Sequence, residues 1–155
     1  MTTVKEFFLE RSVVVNKSLD EVYAFFSNPA NLQELTPPWV DFNIVGSSTL
    51  DVEAGTTIDY KLRVRGLPIK WRSLISEWDP PSSFVDEQVK GPYRMWHHTH
   101  TFEEVEGGVK VGDSVRYAVP GGPLFEWFVE KLFVGPDVRK IFDYRMKRLA
   151  EIFEA

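Results

Sequence analysis

The chain contains no cysteine, and this absence excludes several kinds of chemistry at once. Disulfide bonds, thiol nucleophiles and thiolate-bound metals all require that residue. The first fifteen residues also lack the uninterrupted apolar core of a signal peptide, because charged side chains break it up. No segment has the length and hydrophobicity of a membrane-spanning helix. We therefore expect a soluble, cytoplasmic protein with no integral membrane contact.

Clustered positive charge is absent as well. The formal net charge is −5, and the basic residues are interspersed with acidic ones. Such a sequence offers no basic surface to a phosphate backbone, so we expect no nucleic acid partner. The sequence also lacks a Gly-x-Ser-x-Gly elbow, a phosphate-binding glycine loop and a dinucleotide fingerprint. Any catalysis would have to rest on acid and base residues alone.

Aromatic residues, by contrast, are abundant. Twelve Phe, five Trp and five Tyr make up 14% of the 155 residues. Such rings fill packed cores and also form the walls of ligand pockets. A chain of this length can bury one hydrophobic core without covalent cross-links. We expect a single domain spanning residues 1–155.

The first part of the chain predicts one strand and two short helices. The strand covers residues 4–15. Ser18 and Glu21 have the spacing of a capping box at the start of the first helix. Asn28-Pro29 has the residues of a cap and first position for the second helix, and the prolines after Thr36 end it.

The middle of the chain shows strand and turn signals throughout. Six strands are predicted, over residues 40–45, 56–65, 69–78, 84–89, 94–104 and 109–119. Strands in direct succession predict an antiparallel meander. In the strand over residues 56–65, apolar side chains alternate with charged ones, so we expect one face of the sheet to be buried and the other to be exposed to solvent.

The last part of the chain, residues 124–153, predicts a long helix with apolar residues close to a 3.6 period. Gly135-Pro136 interrupts it, which predicts either a kink or a short helix over residues 124–134 before the main one. The apolar stripe must face the sheet. The predicted fold is α+β: a curved, seven-stranded antiparallel sheet wrapped around a long C-terminal helix, with two short helices after the first strand.

Local motifs support this order of elements. They are Trp71-x-Ser73-x-Ile75, Asp79-Pro80-Pro81, Gly91-Pro92-Tyr93-x-x-Trp96-x-His98-x-His100-x-Phe102 and Asp113-x-Val115-x-Tyr117. The chain resembles the START-like (SRPBCC) superfamily, also called the polyketide cyclase/dehydrase and lipid-transport group, over essentially its whole length. The resemblance implies a helix-grip fold. Because members include lipid carriers, hormone receptors, a coenzyme Q-binding protein and aromatases, it does not settle the activity.

The string from Trp96 to Phe102 places four side chains on one face of a strand, because strand residues two apart share a face. With a turn at Gly107-Gly108 and Glu106 paired with Val109, this face is inward and His97 points outward. The predicted cross-strand pairs are Trp96 with Val119, His98 with Tyr117, His100 with Val115 and Phe102 with Asp113.

The preceding strand has two possible registers. A two-residue turn at Gly91-Pro92 puts Val85 opposite His98, whereas a three-residue loop puts Asp86 there and Gln88 opposite Trp96. The family resemblance favours the second. Asp86, Gln88, His98 and His100 would then form a polar cluster, either as a hydrogen-bonded part of the core or as a ligand site.

Three further interpretations concern the same region. His98 and His100 with Asp86 or Asp113 match three zinc ligands, but no second pair supports a metal, and we predict neither metal nor cofactor. Arg145 lies on the apolar stripe of the helix, and we expect it to snorkel to solvent. If it reaches the cavity instead, its partner is Asp113 or a ligand carboxylate.

The segment over residues 120–128 combines glycines and prolines with three aromatic rings. It predicts either a mobile rim over a ligand or a rigid corner whose rings lie in the core. A cavity filled by side chains, with an exposed apolar patch outside, would instead indicate a partner-binding module.

We predict binding or carriage of a small, mostly hydrophobic or amphipathic molecule with a polar group, in a cavity between sheet and helix. The alternative is an acid/base enzyme of aromatase/cyclase or hydrolase type with His98, His100 and Asp113 as candidate catalytic residues. Monomer and homodimer both remain open. The predicted ligand-binding residues are Tyr60, Trp71, Asp86, Gln88, Trp96, His98, His100, Asp113, Tyr117, Phe128 and Arg145.

Overall fold

The computed structural model describes residues 5–153, so the predicted start of the first strand at residue 4 lies outside the described residues. Seven strands form one antiparallel sheet in the order β1-β7-β6-β5-β4-β3-β2. Their bounds are β1 Phe7–Val15, β2 Asn43–Ser47, β3 Thr57–Val64, β4 Leu67–Asp79, β5 Ser83–Lys90, β6 Met95–Val105 and β7 Gly108–Ala118. The predicted meander is confirmed.

The two predicted short helices follow β1, and a third helical segment comes after them. Helix α1 covers Leu19–Phe26, and the Ser18 side chain caps it by accepting a hydrogen bond of 3.2 Å from the Glu21 backbone N–H. The next segment, Pro29–Leu35, is a 3-10 helix rather than an α-helix. It ends at Thr36, which is extended because a proline follows it. A second 3-10 turn covers Pro38–Val40.

The C-terminal helical run is continuous from Pro123 to Ile152. It consists of α2 (Pro123–Val129), a π-helical turn (Glu130–Val134) and α3 (Gly135–Ile152). Pro136 has no N–H to donate, and its ring would clash with the preceding turn of a regular helix. The wider π turn makes room for the ring. Of the two predicted alternatives, the separate short helix over residues 124–134 is therefore wrong.

Helix α3 packs its apolar stripe on the inner face of the sheet. Val138, Phe142 and Leu149 are at most 4% exposed. Two β-bulges, between Arg72 and Ser73 and between Ile75 and Glu77, interrupt the pairing of β4 with β5. Because a bulge bends its strand, they help the sheet to curve around the helix. Within residues 5–153, no helix combines the length and the hydrophobicity that crossing a bilayer requires.

The predicted register of β6 with β7 is wrong by two residues. Val105 pairs with Gly108, so the turn is Glu106-Gly107 rather than Gly107-Gly108. A Cβ on Gly108 would lie 1.9 Å from the Val15 carbonyl oxygen, so a glycine is required here for β1 to pack this closely. Gly108 therefore belongs to the strand and not to the turn. The observed pairs are Trp96 with Tyr117, His98 with Val115, His100 with Asp113 and Phe102 with Val111. A shift of two residues keeps the inward face unchanged.

On the other side of β6, Asp86 pairs with His98. This part of the register is the one that the resemblance favoured. The connection has four residues, 91–94, rather than the predicted three, and the described pairing of β5 with β6 ends at Glu87 and His97, so it does not include Gln88 with Trp96. This register brings a carboxylate from β5 beside the imidazoles of β6.

Candidate functional site

A cavity of about 180 Å³ lies between the inner face of the sheet and α3. Most of its lining is apolar or aromatic, and it receives side chains from β3 to β6 and from α3. Of the predicted ligand-binding residues, the following line it: Tyr60, Trp71, Asp86, Trp96, His98, His100 and Arg145. These seven residues therefore face one cavity under the long helix.

The two inward histidines of β6 are the centre of a buried polar network. His98 is 6% exposed and His100 is 2% exposed. Their rings stack with centroids 3.7 Å apart, and His100 also stacks on Phe84 at 4.0 Å. Alternation along the strand accounts for this arrangement, because His97 between them faces the other side.

The contacts of His100 determine which of its nitrogens holds the proton. The Nη2 of Arg145 lies 3.2 Å from its Nδ1, and a guanidinium can only donate, so Nδ1 accepts. Nε2 then carries the hydrogen and donates it to Oδ2 of Asp86. Burial and the neighbouring His98 lower the pKa of His100 to about 4, although Asp86 and Asp113 act in the opposite direction. His100 is thus a neutral imidazole whose two nitrogens are both engaged.

Asp113 and Arg145 form an ion pair behind the histidines. Asp113 is 2% exposed, and its Oδ2 accepts from Nε of Arg145 at 2.7 Å while its Oδ1 lies 2.7 Å from Nε2 of His98. Burial alone would raise the pKa of Asp113, but the charge of Arg145 and the contact with His98 hold it well below its usual range. Both carboxylate oxygens of Asp113 are therefore occupied.

The prediction that Arg145 snorkels to solvent is wrong. The residue is 7% exposed, and its guanidinium lies 5.5 Å from the ring centroid of Phe26. An unpaired Asp113 at this depth would cost several kcal/mol (about 3–5), so the inward rotamer is favoured. Asp113 is one of the two partners predicted for an inward Arg145. The sequence could not decide between the inward and the outward direction, because the two residues are far apart along the chain.

Asp86 differs from Asp113 because half of its carboxylate is free. Oδ2 accepts from His100 and lies 3.4 Å from Nδ1 of His98. Oδ1 makes no hydrogen bond within residues 5–153, and the 16% exposed side chain lines the cavity. Burial acts to raise the pKa of Asp86, but His98, the hydrogen bond from His100 and the charge of Arg145 together lower it. Asp86 thus presents an ionised oxygen to the cavity.

A second polar group of the cavity centres on Ser73. Its Oγ accepts from Nε1 of Trp71 at 3.0 Å and lies 2.7 Å from the hydroxyl of Tyr60. Either hydroxyl can donate to the other, so one O–H remains for a ligand. Burial and the charge of Asp86 both raise the pKa of Tyr60, which keeps its hydroxyl protonated.

The aromatic wall of the cavity is built from rings in mutual contact. Trp71 and Trp96 meet edge to face with centroids 5.4 Å apart, and Tyr60 stacks on Trp71 at 5.9 Å. Tyr93 contacts both tryptophans, at 5.5 Å and 4.8 Å. Each ring is held by its neighbours, so the wall has a defined shape before any ligand arrives.

Four of the predicted ligand-binding residues do not line the cavity. Gln88 holds the turn after β5, donating to the carbonyl of Tyr93 at 2.7 Å and accepting from its N–H at 3.0 Å. Tyr117 donates to Oε1 of Glu130 at 2.6 Å. Asp113 lies behind the histidines. The predicted cluster of Asp86, Gln88, His98 and His100 is therefore wrong for Gln88, and the observed cluster consists of Asp86, His98, His100, Asp113 and Arg145.

Phe128 is the fourth of these residues, and it belongs to an exposed apolar surface. Phe125, Trp127 and Phe128 on α2 are 58%, 46% and 49% exposed. Phe125 and Phe128 line a separate depression rather than the cavity. The rings of this segment are thus neither in the core nor over the ligand cavity, which corrects both predictions for residues 120–128.

Several lining residues were not predicted. They include Phe26, Ser73, Phe84, Tyr93, Val138, Ile141 and Phe142. Ser73 carried a usable signal, since it lies two residues after Trp71 and so shares its inward face. Tyr93 had no such signal in the sequence, because it follows a strand and reaches the cavity only through the shape of the turn.

Asp86, His98 and His100 also have ligand atoms within 4.8 Å of one another, close enough to surround a metal ion. The hydrogen bonds fit such an ion poorly. A metal on Nε2 of His100 would require that nitrogen to lose its proton while Nδ1 still accepts from Arg145. The fixed positive charge of Arg145 would also lie beside the ion. The residues fit a hydrogen-bonded network better than a metal centre.

The fold has close structural counterparts at low sequence identity. An uncharacterized protein from Rhizobium leguminosarum superposes with a TM-score of 0.72 at 13% identity, with 98% of this chain and 97% of that chain covered. The major latex-like protein 151 of Panax ginseng gives 0.69 at 11% identity, covering 97% and 99%. Norcoclaurine synthase from Thalictrum gives 0.67 at 18% identity, covering 97% and 98%. These similarities concern the fold alone.

Sequence comparison identifies the family. A search of curated protein sequences gave no match. The profile of the family described as "Polyketide cyclase / dehydrase and lipid transport" matches residues 7–154, which is nearly the whole chain. With the helix-grip fold and its cavity under the long helix, this match means that the chain belongs to the polyketide cyclase/dehydrase and lipid-transport family.

Proposed function

We propose that the protein binds and carries a small, mostly apolar molecule with one polar group in the cavity under α3. The observation that supports this most is the free Oδ1 of Asp86 in a cavity walled by packed aromatic rings. A largely apolar pocket with a few convergent polar groups is how small-molecule sites are built. The family description, which includes lipid transport, agrees with a carrier.

The size of the cavity limits the ligand. Its volume is about 180 Å³, and an engineered apolar cavity of about 150 Å³ in another protein holds one benzene molecule. Drug-sized ligands need roughly 300 Å³ or more. The ligand that fits without movement of α3 is therefore a single substituted ring or a short chain of similar volume.

The contacts of His100 oppose its use as a general base. A general base needs a nitrogen lone pair within reach of the substrate. In His100 one nitrogen accepts from Arg145 and the other donates to Asp86. In His98 only Nε2 is hydrogen-bonded, to Asp113, and Nδ1 lies 3.4 Å from Asp86. The alternative, an acid/base enzyme, would therefore have to use Nδ1 of His98 or the carboxylate of Asp86 as its base.

Native mass spectrometry of gently purified protein, followed by solvent extraction, tests the proposal. We expect a bound small molecule that denaturation releases. The variant Val138→Phe places extra volume in the cavity from α3, where Val138 is 1% exposed, and it should lose the molecule. The matched control Val14→Phe makes the same change at a 50% exposed position of β1 and should retain it.

Two outcomes would contradict the proposal. One is a wild-type protein that shows only the mass of the bare chain and releases nothing into the extract. The other is a Val138→Phe protein that folds and retains the molecule as well as the wild type does, since the molecule would then lie outside the cavity.

A further inference from the structure

The two carboxylates of the cluster differ in how they are paired. Asp113 lies 2.7 Å from Nε of Arg145 and 2.7 Å from Nε2 of His98. Asp86 has no arginine partner among the described residues, and its Oδ2 accepts a hydrogen bond from the neutral His100. Buried charges are normally paired with a charge of opposite sign, so Asp86 is the carboxylate that a ligand cation would complete.

The hydrogen bonds show which carboxylate oxygen is free to take a further partner. Oδ1 and Oδ2 of Asp113 and Oδ2 of Asp86 each have a partner, so Oδ1 of Asp86 is the carboxylate oxygen left free in the described cluster. Nδ1 of His98 lies 3.4 Å from Oδ2 of Asp86, which is longer than an ordinary N–H···O hydrogen bond. Oδ1 of Asp86 is therefore the atom at which an N–H of a ligand can be bound.

The guanidinium of Arg145 is a poor site for an anionic ligand. Its Nε and Nη2 already bond Asp113 and His100, so the two-pronged contact that favours a carboxylate is unavailable there. A ligand anion beside Nη1 would also lie close to two carboxylates. The free carboxylate oxygen of Asp86 and the engaged guanidinium of Arg145 therefore favour a cation over an anion.

The aromatic wall supports the same sign of charge. The face of an aromatic ring carries partial negative charge and attracts cations, and rings grouped around a pocket are used to recognise ammonium groups. Tyr60, Trp71, Tyr93 and Trp96 line the same cavity as Asp86. A cavity of about 180 Å³ is small enough for one ligand to touch both the carboxylate and these rings.

We infer that the cavity selects a small organic amine in its protonated form. Its N–H groups bond Oδ1 of Asp86, and its apolar body lies against Trp71 and Trp96. The hydroxyl left over by Tyr60 and Ser73 is available to a second, accepting group on the same ligand. This inference rests on the proposed binding function and names the class of ligand.

Isothermal titration calorimetry at pH 7 with three probes of equal size tests the inference: 2-phenylethylamine, 2-phenylethanol and phenylacetate. The amine is a cation, the alcohol is neutral and the acid is an anion. We expect the amine to bind at least about tenfold more tightly than the alcohol, as a charge-assisted hydrogen bond predicts. The acid should bind most weakly.

The variant Asp86→Asn should lower the affinity for the amine to that for the alcohol. Its affinity for the alcohol should differ from that of the wild type by no more than about twofold. The matched control Asp59→Asn removes a carboxylate from the outer face, where Asp59 pairs with Arg72, and should change neither affinity. Thermal unfolding confirms that both variants fold. The comparison of probes on the wild type decides the question even if Asp86→Asn does not fold.

An amine that binds no more tightly than the alcohol, or an acid that binds most tightly, overturns the inference. Neither result contradicts the proposed function, which native mass spectrometry tests separately. If that experiment finds no bound molecule in wild-type protein and none of the three probes binds, the proposed function itself has failed.

Discussion

At the scale of single residues, the two stacked histidines show how position in a network determines the role of a side chain. Both come from the same face of β6, yet only His100 has both nitrogens fixed by groups of known charge, Arg145 and Asp86. Its pKa near 4 follows from burial and from the second imidazole at 3.7 Å. In the native state His100 is therefore a neutral imidazole at pH values well above 4.

This pKa predicts a dependence of stability on pH. Because the folded pKa of about 4 lies below the unfolded value of 6.5, the unfolded chain binds more protons between these limits. The contribution of His100 to the free energy of unfolding is complete above pH 6.5 and is lost as the pH falls through 4. Its size is on the order of 3 kcal/mol, from about 1.4 kcal/mol per pKa unit. Urea unfolding at a series of pH values measures it.

The variant His100→Asn should flatten the decrease in stability between pH 6.5 and 4. The control His97→Asn removes a histidine from the opposite face of β6 and should leave the decrease as it is. An equal slope in wild type and His100→Asn would mean that another group causes the dependence.

Arg145 provides a second prediction at this scale. Arg145→Met leaves the buried carboxylate of Asp113 without its charged partner and should reduce the free energy of unfolding by about 3–5 kcal/mol. Arg148→Met is the control on the same helix. Its ion pair with Glu34 is partly exposed, so its removal should cost about 1 kcal/mol or less. Chemical denaturation of both proteins checks the contrast, and equal losses would contradict it.

At the scale of elements, the π turn at Glu130–Val134 explains how one helix accommodates Gly135-Pro136. The N–H of Gly135 donates to the carbonyl of Glu130, one residue beyond the α-helical partner. A Cβ on Gly135 would lie 2.8 Å from that carbonyl oxygen and 2.7 Å from Oε1 of the same residue. The turn therefore depends on the absence of a side chain at this position.

We expect Gly135→Ala to destabilise the protein by roughly 1–3 kcal/mol, the usual cost of forcing an atom into a packed site. The control Gly46→Ala adds the same methyl group in β2, where nothing lies within 4 Å, and should change stability by about 0.5 kcal/mol or less. Thermal unfolding of the two variants measures the difference. A Gly135→Ala protein as stable as the control would show that the turn can relax freely.

At the scale of the whole molecule, the cavity couples binding to stability. A ligand that binds the folded chain alone adds about 2.7 kcal/mol to the free energy of unfolding at a concentration of 100 times its Kd. For a protein of this size that corresponds to a rise in Tm of roughly 5–10 °C. Differential scanning calorimetry with the compound recovered by solvent extraction should show the rise. Val138→Phe should show none, and an equal rise there would place the binding elsewhere.

Much of the fold could be predicted because its signals are local. Capping at Ser18, alternation in the strand around Tyr60 and the 3.6-residue period of the last helix each depend on neighbours within one turn or one strand. The register of β6 with β7 could not be predicted in the same way. A glycine pair looks like a turn, but Gly108 is there because Val15 approaches it from another strand.

The sequence by itself determined which face of β6 is buried, because alternation depends only on parity, and a register error of two residues leaves parity unchanged. Its composition also determined that no thiol or disulfide chemistry operates. Only the tertiary structure decided which buried groups pair: Arg145 turned inward to Asp113, Gln88 held a turn, and Oδ1 of Asp86 was left free in the cavity. The physical reason is that hydrogen bonds and charges act over a few ångströms in space. Residues far apart along the chain satisfy them only after the sheet and the helix have brought those residues together.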